Sequence, residues 1–347
     1  MKKIRVSIVG ATGYTGAELL RLVLGHPSLE LAKIVGQSKA GQRVEEVLPS
    51  FAGLVEGEIE VYDADAIAAS SDAVFCALPH KASAPIVAEL ASKGAVVFDL
   101  SADYRLRELS VYEEWYGKHG APENFGRATY GLVELYREAL RDAAIVAVPG
   151  CYPTAATLSL APLVKGGLIE SDGIVIDAKS GVSGAGRSPA PVTHLPEAAE
   201  GIRAYKVASH RHTPEIEQEL SILAGRDLRV LFVPHLVPMT RGILTTSYAL
   251  AKGGADAEAA TAIARELYAG SPSVVVRDVG ISPDTLWVRG SNRLQIAYSK
   301  DARTGRLIAM AAVDNLVKGA SGQAVQCLNV RFGLDEGAGL LGAPSWP

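Results

Sequence analysis

At 347 residues the chain is longer than one ordinary core serves, so two domains of normal size are expected. Apolar residues make up 48% and charged residues 21%, a globular balance, and a net charge of −4 without a basic cluster argues against nucleic acid as a partner. Cys76, Cys151 and Cys327, an odd set without CxxC spacing, argue against a disulfide framework and a structural zinc site. A reducing, cytoplasmic setting fits, and no apolar run is long enough to span a bilayer.

The opening residues read as a first strand, Ile4–Val9, and not as a signal peptide, because the apolar stretch is short and runs straight into Gly10. Further strand-like runs follow at 29–35, 73–78, 96–100 and 145–148, with helical patterns at 15–24, 82–92 and 132–140. That alternation predicts a doubly wound, Rossmann-like parallel sheet.

After Cys151 the texture changes. A helix is predicted over 155–164, then β-branched runs at 173–179, 229–233, 242–250 and 293–299, with helices at 214–223 and 255–268. These predict a second, α+β domain with a mixed or antiparallel sheet. Residues 181–189 hold three glycines and a proline and read as a loop. Residues 314–324 keep a helical pattern despite glycines that cost helix stability, which points to close packing or a neighbouring ligand. The tail after Gly333 is glycine-rich and expected to be mobile.

Gly10, Gly13 and Gly16, with Thr12, Tyr14 and Thr15 between them, follow the first strand and open the first helix. Such glycines let the chain turn tightly and let backbone N–H groups approach a pyrophosphate at a helix N-terminus. The spacing is G-x-x-G-x-x-G, and a plain strand-to-helix turn is the other reading. The second strand ends at Gly36-Gln37-Ser38-Lys39 with no acid to take the ribose hydroxyls. A hydroxyl at Ser38 and a cation at Lys39 suit a 2′-phosphate, which predicts NADP, although Lys39 also reads as a solvated loop lysine.

Cys151 stands between a strand-like run and a helix-like one. Backbone N–H groups and the positive end of the peptide dipoles at a helix start lower a thiol's pKa, and the same groups can hold an oxyanion. A small buried hydrophobe is the alternative. His210-Arg211-His212-Thr213-Pro214-Glu215 ends in a helix-start signal, with Thr213 as cap and Pro214 first in the helix. A histidine there could partner Cys151, or simply cap the helix; as a metal pair, His210 and His212 lack a further ligand at suitable spacing, and no metal is assigned. Arg105, past a strand end, could pair with a carboxylate or phosphate or lie on the surface. The loop from Ser183 to Arg187 reads as an anion nest or an ordinary connection.

Taken in order, Gly10–Gly16, Asp99–Arg105, Pro149–Ala155, Ser180–Gly186, His210–Glu215 and Asn315–Gly319 resemble the N-acetyl-γ-glutamyl-phosphate reductase family, relatives of aspartate-semialdehyde dehydrogenase, along nearly the whole chain. The resemblance implies an NADP-binding domain of residues 1–150 with 314–347 and a catalytic and oligomerisation domain of 151–313. It implies a homodimer or homotetramer and a small acyl-phosphate substrate, reduced in arginine biosynthesis through a Cys151 thioester. On it, Cys151 is the nucleophile, His212 the acid/base with His210 left open, and Glu215 a supporting acid. Arg105, Ser183 and Arg211 fall to the substrate, and Ser180, Gly181, Gly184 and Asn315 join the cofactor residues.

Other readings stay open. A sister family reduces a carrier-linked aminoadipyl phosphate in lysine synthesis, but its members tend to lack a Tyr152-Pro153 pair. A non-catalytic NADP-sensing module would need no reactive thiol, and a cysteine hydrolase would need no nucleotide loop.

Overall fold

The computed structural model describes residues 3–345 and divides into two compact units. One comprises residues 3–149 with Ala320–Leu340; the other comprises Gly150–Gly319 with residues 341–345.

Among the described residues the first unit holds a six-stranded parallel sheet of β1 (Ile4–Val9), β2 (Leu29–Val35), β3 (Ala73–Cys76), β4 (Val96–Asp99), β5 (Thr129–Tyr130) and β6 (Ile145–Ala147), in the order β2-β1-β3-β4-β6-β5. Runs such as Ala73-Val74-Phe75-Cys76 are apolar at every position because both faces of the sheet are covered. The strand order turns back at β1, so the crevice outside the carboxyl edge there is the place where such sheets take a ligand. Register lines up Val9, Cys76, Asp99 and Ala147 along that edge. The helices Tyr14–Leu24, Ser83–Ser92 and Val133–Leu140 match the sequence expectation, whereas Ala64–Ser70 and Leu109–Tyr116 are helices it missed.

The helix Gly322–Arg331 also belongs to this unit. Its fully buried polar residues are satisfied: Gln323 Nε2 donates to Gly131 O at 2.7 Å, Gln326 Nε2 to Glu134 Oε1 at 3.0 Å, and Asn329 Oδ1 meets His26 Nε2 at 3.1 Å. Just ahead of it, Ser321 Oγ donates to Thr15 O at 2.9 Å, tying this helix to the glycine turn. The tail corrects the expectation of mobility as far as Leu340. Asn329 Nδ2 donates to Glu336 O and Ala338 O, Glu336 pairs with Arg137, and Leu340 is buried, because the glycines let the chain fold back closely on His26.

The second unit holds a mixed seven-stranded sheet, with strands β7 (Ile174–Gly181), β8 (Arg203–Ala204), β9 (Val230–Val237), β10 (Ile243–Leu250), β11 (Val274–Val276), β12 (Leu294–Asp301) and β13 (Arg306–Val313) in the order β11-β12-β13-β10-β7-β9-β8. The pairs β7 with β9 and β11 with β12 are parallel and the others antiparallel. Burial alternates along β7 and β10, the period of a sheet with one packed face. The helices Cys151–Lys165, Thr213–Ala224 and Ala257–Leu267 pack on it.

The Cys151 helix starts four residues earlier than the sequence suggested, since Pro153 lies in the first turn, where a missing N–H costs nothing. Pro162, farther along, does leave the Leu158 carbonyl without its helical donor. Tyr268 Oη donates to that carbonyl at 2.5 Å, repairing the ladder from outside, and Tyr298 Oη adds a bond to the neighbouring Ser159 O at 3.0 Å. Among the described residues, no helix is long and apolar enough to cross a membrane.

Candidate active site

Cys151 is the first residue of its helix, and Gly150 before it is extended at φ −66° and ψ 154°. Gly150 is held on both sides. Its N–H donates to Glu215 Oε1 at 2.9 Å, and its carbonyl accepts from Thr154 N at 2.9 Å and Thr154 Oγ1 at 3.0 Å. Glu215 is buried in the first turn of the helix Thr213–Ala224, so it acts as a strut under the cysteine turn. Thr154 N makes the first intrahelical bond and Pro153 has no N–H, which leaves the backbone N–H groups of Cys151 and Tyr152 at the helix tip ahead of that bond.

The three cysteines separate by environment. Cys76 is fully buried and burial pushes its thiol well up; Cys327 is also buried and donates to Gly131 O at 3.0 Å. Cys151 alone of the three is half-buried. Gly319 lies against it, close enough that a Cβ there would come within 2.9 Å of Cys151 Cβ. This explains one of the glycines in 314–324: Gly319 sits in a turn of π-helix, Val317–Ser321, where a side chain would strike the cysteine.

The two histidines have different surroundings. His210 is buried, and its ring lies 4.9 Å from His212, 5.3 Å from Phe232, 5.5 Å from Tyr205 and 5.6 Å from Tyr152 between centroids. Its Nδ1 accepts the His212 backbone N–H at 3.1 Å. Burial, with the charges of Lys206 and Arg211 adding to it, pushes His210 down to about 4, so its ring is neutral at physiological pH. His212 is half-buried, 5.9 Å from the Tyr152 ring. The helix begins at Thr213 with His212 in the cap position, one residue before the expected cap, because the bond to His210 Nδ1 already turns the backbone there. Arg211 is half-buried beside them.

Tyr152 and Tyr205 form a chain that sequence reading did not find. Tyr205 Oη donates to Tyr152 Oη at 3.1 Å, and Tyr152 Oη donates to His235 O at 3.4 Å. Burial pushes Tyr205 up to about 12 and Tyr152 higher still, so both stay protonated.

The loop after β7 gathers the next group of expected residues. Val182 N and Ser183 N donate to Met239 O at 2.9 Å and Thr240 O at 3.1 Å, and a Cβ on Gly181 would stand 2.8 Å from those same carbonyls. Ser180 Oγ donates to Gly181 O at 3.0 Å and would lie 3.1 Å from a Cβ on Gly184. Asn315, also buried, joins them: its Nδ2 donates to Ser183 Oγ at 2.9 Å and its Oδ1 accepts from Gly242 N at 2.7 Å. Ser180, Gly181, Ser183, Gly184 and Asn315 therefore form one cluster within the second unit.

In the first unit, Gly10 has φ +88°, and a Cβ on Gly16 would stand 2.4 Å from Gly10 O, so both glycines are required by the turn itself. Gly13 differs. A Cβ there would find its nearest neighbour at 3.8 Å, so the protein's own packing does not demand glycine, but close approach of a pyrophosphate would. The room beside Gly13 thus fits the close approach of a dinucleotide's pyrophosphate to the turn. Ser38 and Lys39 are exposed in the turn after β2. Arg105 is buried, not on the surface; its Nε donates to Val148 O at 2.7 Å and its Nη2 to Leu100 O at 2.8 Å, across the carboxyl ends of β4 and β6. Behind it, Asp99 takes the hydroxyls of Ser83 at 2.6 Å and Ser101 at 2.7 Å, while burial pushes its carboxyl up to about 6. Among the described residues, no group of three or more His, Cys, Asp or Glu side chains converges to hold a metal ion.

Comparison with known proteins matches residues 5–143 to the family model described as semialdehyde dehydrogenase, NAD binding domain, and residues 151–315 to semialdehyde dehydrogenase, dimerisation domain. N-acetyl-gamma-glutamyl-phosphate reductase of Heliobacterium modesticaldum is 50% identical, covering 99% of this chain and 100% of that protein. The protein of the same name from Synechocystis is 48% identical over 98% of this chain and 97% of its own length. In fold, the chain is similar to aspartate semialdehyde dehydrogenase II of Vibrio cholerae, at a TM-score of 0.72 and 16% identity over 95% of this chain and 98% of that one. It is similar also to aspartate semialdehyde dehydrogenase with NADP from Candida albicans, at 0.69 and 15% over 95% and 98%.

Proposed function

The chain belongs to the N-acetyl-γ-glutamyl-phosphate reductase family, and from that premise we propose that it reduces N-acetyl-γ-glutamyl phosphate to N-acetylglutamate semialdehyde and phosphate, with NADPH, through an acyl group carried on Cys151. The observation that carries the covalent route is the half-buried thiol on the first residue of a helix, beside a glycine whose N–H is fixed by Glu215. The Cys151 sulfur, as thiolate, attacks the acyl-phosphate carbonyl and phosphate leaves, giving a thioester. The positive end of the peptide dipoles at the start of the Cys151 helix favours the oxyanion that forms there. His212 takes the thiol proton and holds it for the later protonation; a neutral, buried His210 with a pKa of about 4 suits a supporting ring better than a base working near neutrality. Arg105, Arg211 and Ser183 are assigned to the substrate, with Arg105 set in place by the strand-end carbonyls it holds. When bound, the nicotinamide cofactor supplies the hydride that takes the acyl group to the aldehyde.

The cofactor residues in this proposal are the Gly10–Gly16 turn together with Ser38, Lys39, Ser180, Gly181, Gly184 and Asn315. NADP is preferred over NAD because β2 ends without an acid and with Ser38 and Lys39 exposed, and a fold neighbour is described with NADP. A homodimer or homotetramer is part of the same reading, supported by the half-exposed alternate positions along β7 and β10 in a segment that matches a dimerisation-domain model. A cytoplasmic location accords with three cysteines that form no disulfide among the described residues.

The test is phosphate-dependent reduction of NADP with N-acetylglutamate semialdehyde, run beside aspartate semialdehyde and the carrier-linked aminoadipyl analogue. Preference for the acetylglutamyl substrate and for NADP over NAD is expected. Faster turnover of another semialdehyde would reassign the substrate, and equal Michaelis constants for the two cofactors would remove the NADP preference.

A further inference from the structure

Asp314 is fully buried in the second unit and gathers donors from four directions. Its Oδ1 accepts from Leu316 N at 2.9 Å and Val317 N at 3.2 Å, and its Oδ2 accepts from Gly290 N at 2.7 Å. Arg241 closes the group, with Nε 3.0 Å from Oδ2 and Nη2 3.2 Å from Oδ1. The backbone carbonyl of Asp314 accepts from Gly319 N at 2.9 Å, the bond that makes the turn of π-helix. That turn is short, irregular and rich in small residues, and would not hold its shape by helix propensity alone.

Two contacts lead from this hub into the proposed active site. Gly319 rests on Cys151, and Asn315, next to Asp314 in sequence, spans Gly242 N and Ser183 Oγ. A shift of 314–319 would therefore move the wall against the sulfur and the loop at Ser183 together.

We propose that the Arg241–Asp314 pair is a positioning device for the reaction: by locking residues 314–319 it fixes Gly319 against Cys151, and so sets where the sulfur stands relative to the bound acyl group. Neither residue touches the reacting atoms in this scheme. An arginine suits the role because its planar fork spans both carboxylate oxygens, which a lysine cannot do. Arg241 also lines a cavity of about 350 Å³ with Met239, Thr240, Thr285, Leu286 and Arg289, so a small cation could reach Asp314 if the side chain were removed.

The inference rests on Cys151 being the nucleophile, and the experiment separates the two. Arg241→Ala and Gly319→Ala are made singly and together in the full chain, and kcat and both Michaelis constants are measured beside Cys151→Ser. Each single change is expected to lower kcat by about 100-fold, the scale of a misplaced reacting group, and to leave the cofactor's KM within about threefold. Because both act on one contact, the double variant should fall no more than about threefold below the worse single one. Guanidinium ion at tens of millimolar should restore at least about tenfold of the Arg241→Ala loss by refilling the cavity, without helping Gly319→Ala, and Arg241→Lys should lie between wild type and Arg241→Ala. Losses that multiply, an unchanged kcat, or an effect confined to KM would overturn the positioning role. If Arg241→Ala does not fold, Arg241→Lys combined with Gly319→Ala gives the same cycle. Retained activity in Cys151→Ser would instead sink the thioester reading itself.

Discussion

Gly13 and Gly150 precede the helices Tyr14–Leu24 and Cys151–Lys165 in nearly the same extended conformation, at φ −79° and ψ 168° against φ −66° and ψ 154°. Each follows a strand of the first sheet, and each leaves a helix tip whose first N–H groups point out of the ladder. What surrounds the two tips differs. At Gly13 a Cβ would meet its nearest neighbour at an ordinary 3.8 Å, Tyr14 is exposed, and no acid lies in the first turn of the helix. At Gly150 a buried carboxylate holds the N–H, a thiol occupies the first helical position, and Gly319 covers it. One backbone device thus serves two purposes. The open tip suits a ligand that brings its own charge, whereas the covered tip suits a charge that forms on the protein and then on the bound acyl group.

The largest test of this contrast is Cys151→Ser. Turnover should drop by more than about 10³-fold, the scale seen when a nucleophile is removed, while NADPH binding, read by fluorescence titration, stays within about twofold. Loss of cofactor binding in that variant would erase the division of labour.

Next in size is Glu215→Ala, which strands the Gly150 N–H. A loss of about 1–3 kcal/mol in urea unfolding is expected, with kcat reduced by about 100-fold. Glu215→Gln keeps an acceptor oxygen and should stay within about tenfold of wild type; equal losses in the two variants would show that the charge, and not the strut, matters.

At the open tip, Gly13→Ala should raise the Michaelis constant for NADPH by about tenfold with no change in melting temperature, because only a ligand needs that space. Gly16→Ala should do the opposite first, costing about 1–3 kcal/mol of stability through its collision with Gly10 O. A fall in stability for Gly13→Ala would mean that the turn itself demands glycine there.

The last effect concerns His210. Its folded pKa is depressed from 6.5 to about 4, so the unfolded chain binds a proton that the native state refuses. Stability is unaffected above pH 6.5, falls as pH drops from 6.5 to about 4, and levels off below that, for a total of up to about 3 kcal/mol. His210→Asn, whose side-chain oxygen can still accept the His212 N–H, should flatten this part of the curve. An unchanged slope between urea melts at pH 7 and pH 5 would assign the acid sensitivity elsewhere, with His26, whose pKa burial also lowers, the first place to look.

Much of the first unit was legible because most of its strands are short apolar runs alternating with helical patterns, the rhythm of a parallel sheet covered on both faces. Ile4–Val9 and Leu29–Val35 were read to the residue. The partner strand Arg306–Val313 went unnoticed although it pairs along its whole length with both β10 and β12; alanines and a methionine blur the alternation that marks β10. The Cys151 helix begins ahead of the predicted 155–164 because Pro153 falls in the first turn, where no N–H is needed. In the site, residue types announced Cys151 and the histidine pair. The things that arrange them are contacts between distant segments: Glu215 under Gly150, Gly319 on Cys151, Arg241 on Asp314 and Tyr205 on Tyr152. No spacing rule encodes these. Arg105 shows the same limit, since its position at a strand end was readable but its backbone carbonyl partners were not.

The proline in the middle of the Cys151 helix is tolerated because a tyrosine hydroxyl from a distant segment stands in for the missing amide. The tolerance of the one side chain therefore depends on the other. In a lineage where position 162 regains an amide hydrogen, Tyr268 is released to become phenylalanine at little cost, whereas a change from Tyr268 to phenylalanine beside a retained proline leaves an oxygen inside the protein with nothing to bind it. Across related sequences, phenylalanine at position 268 should therefore accompany only a residue other than proline at position 162.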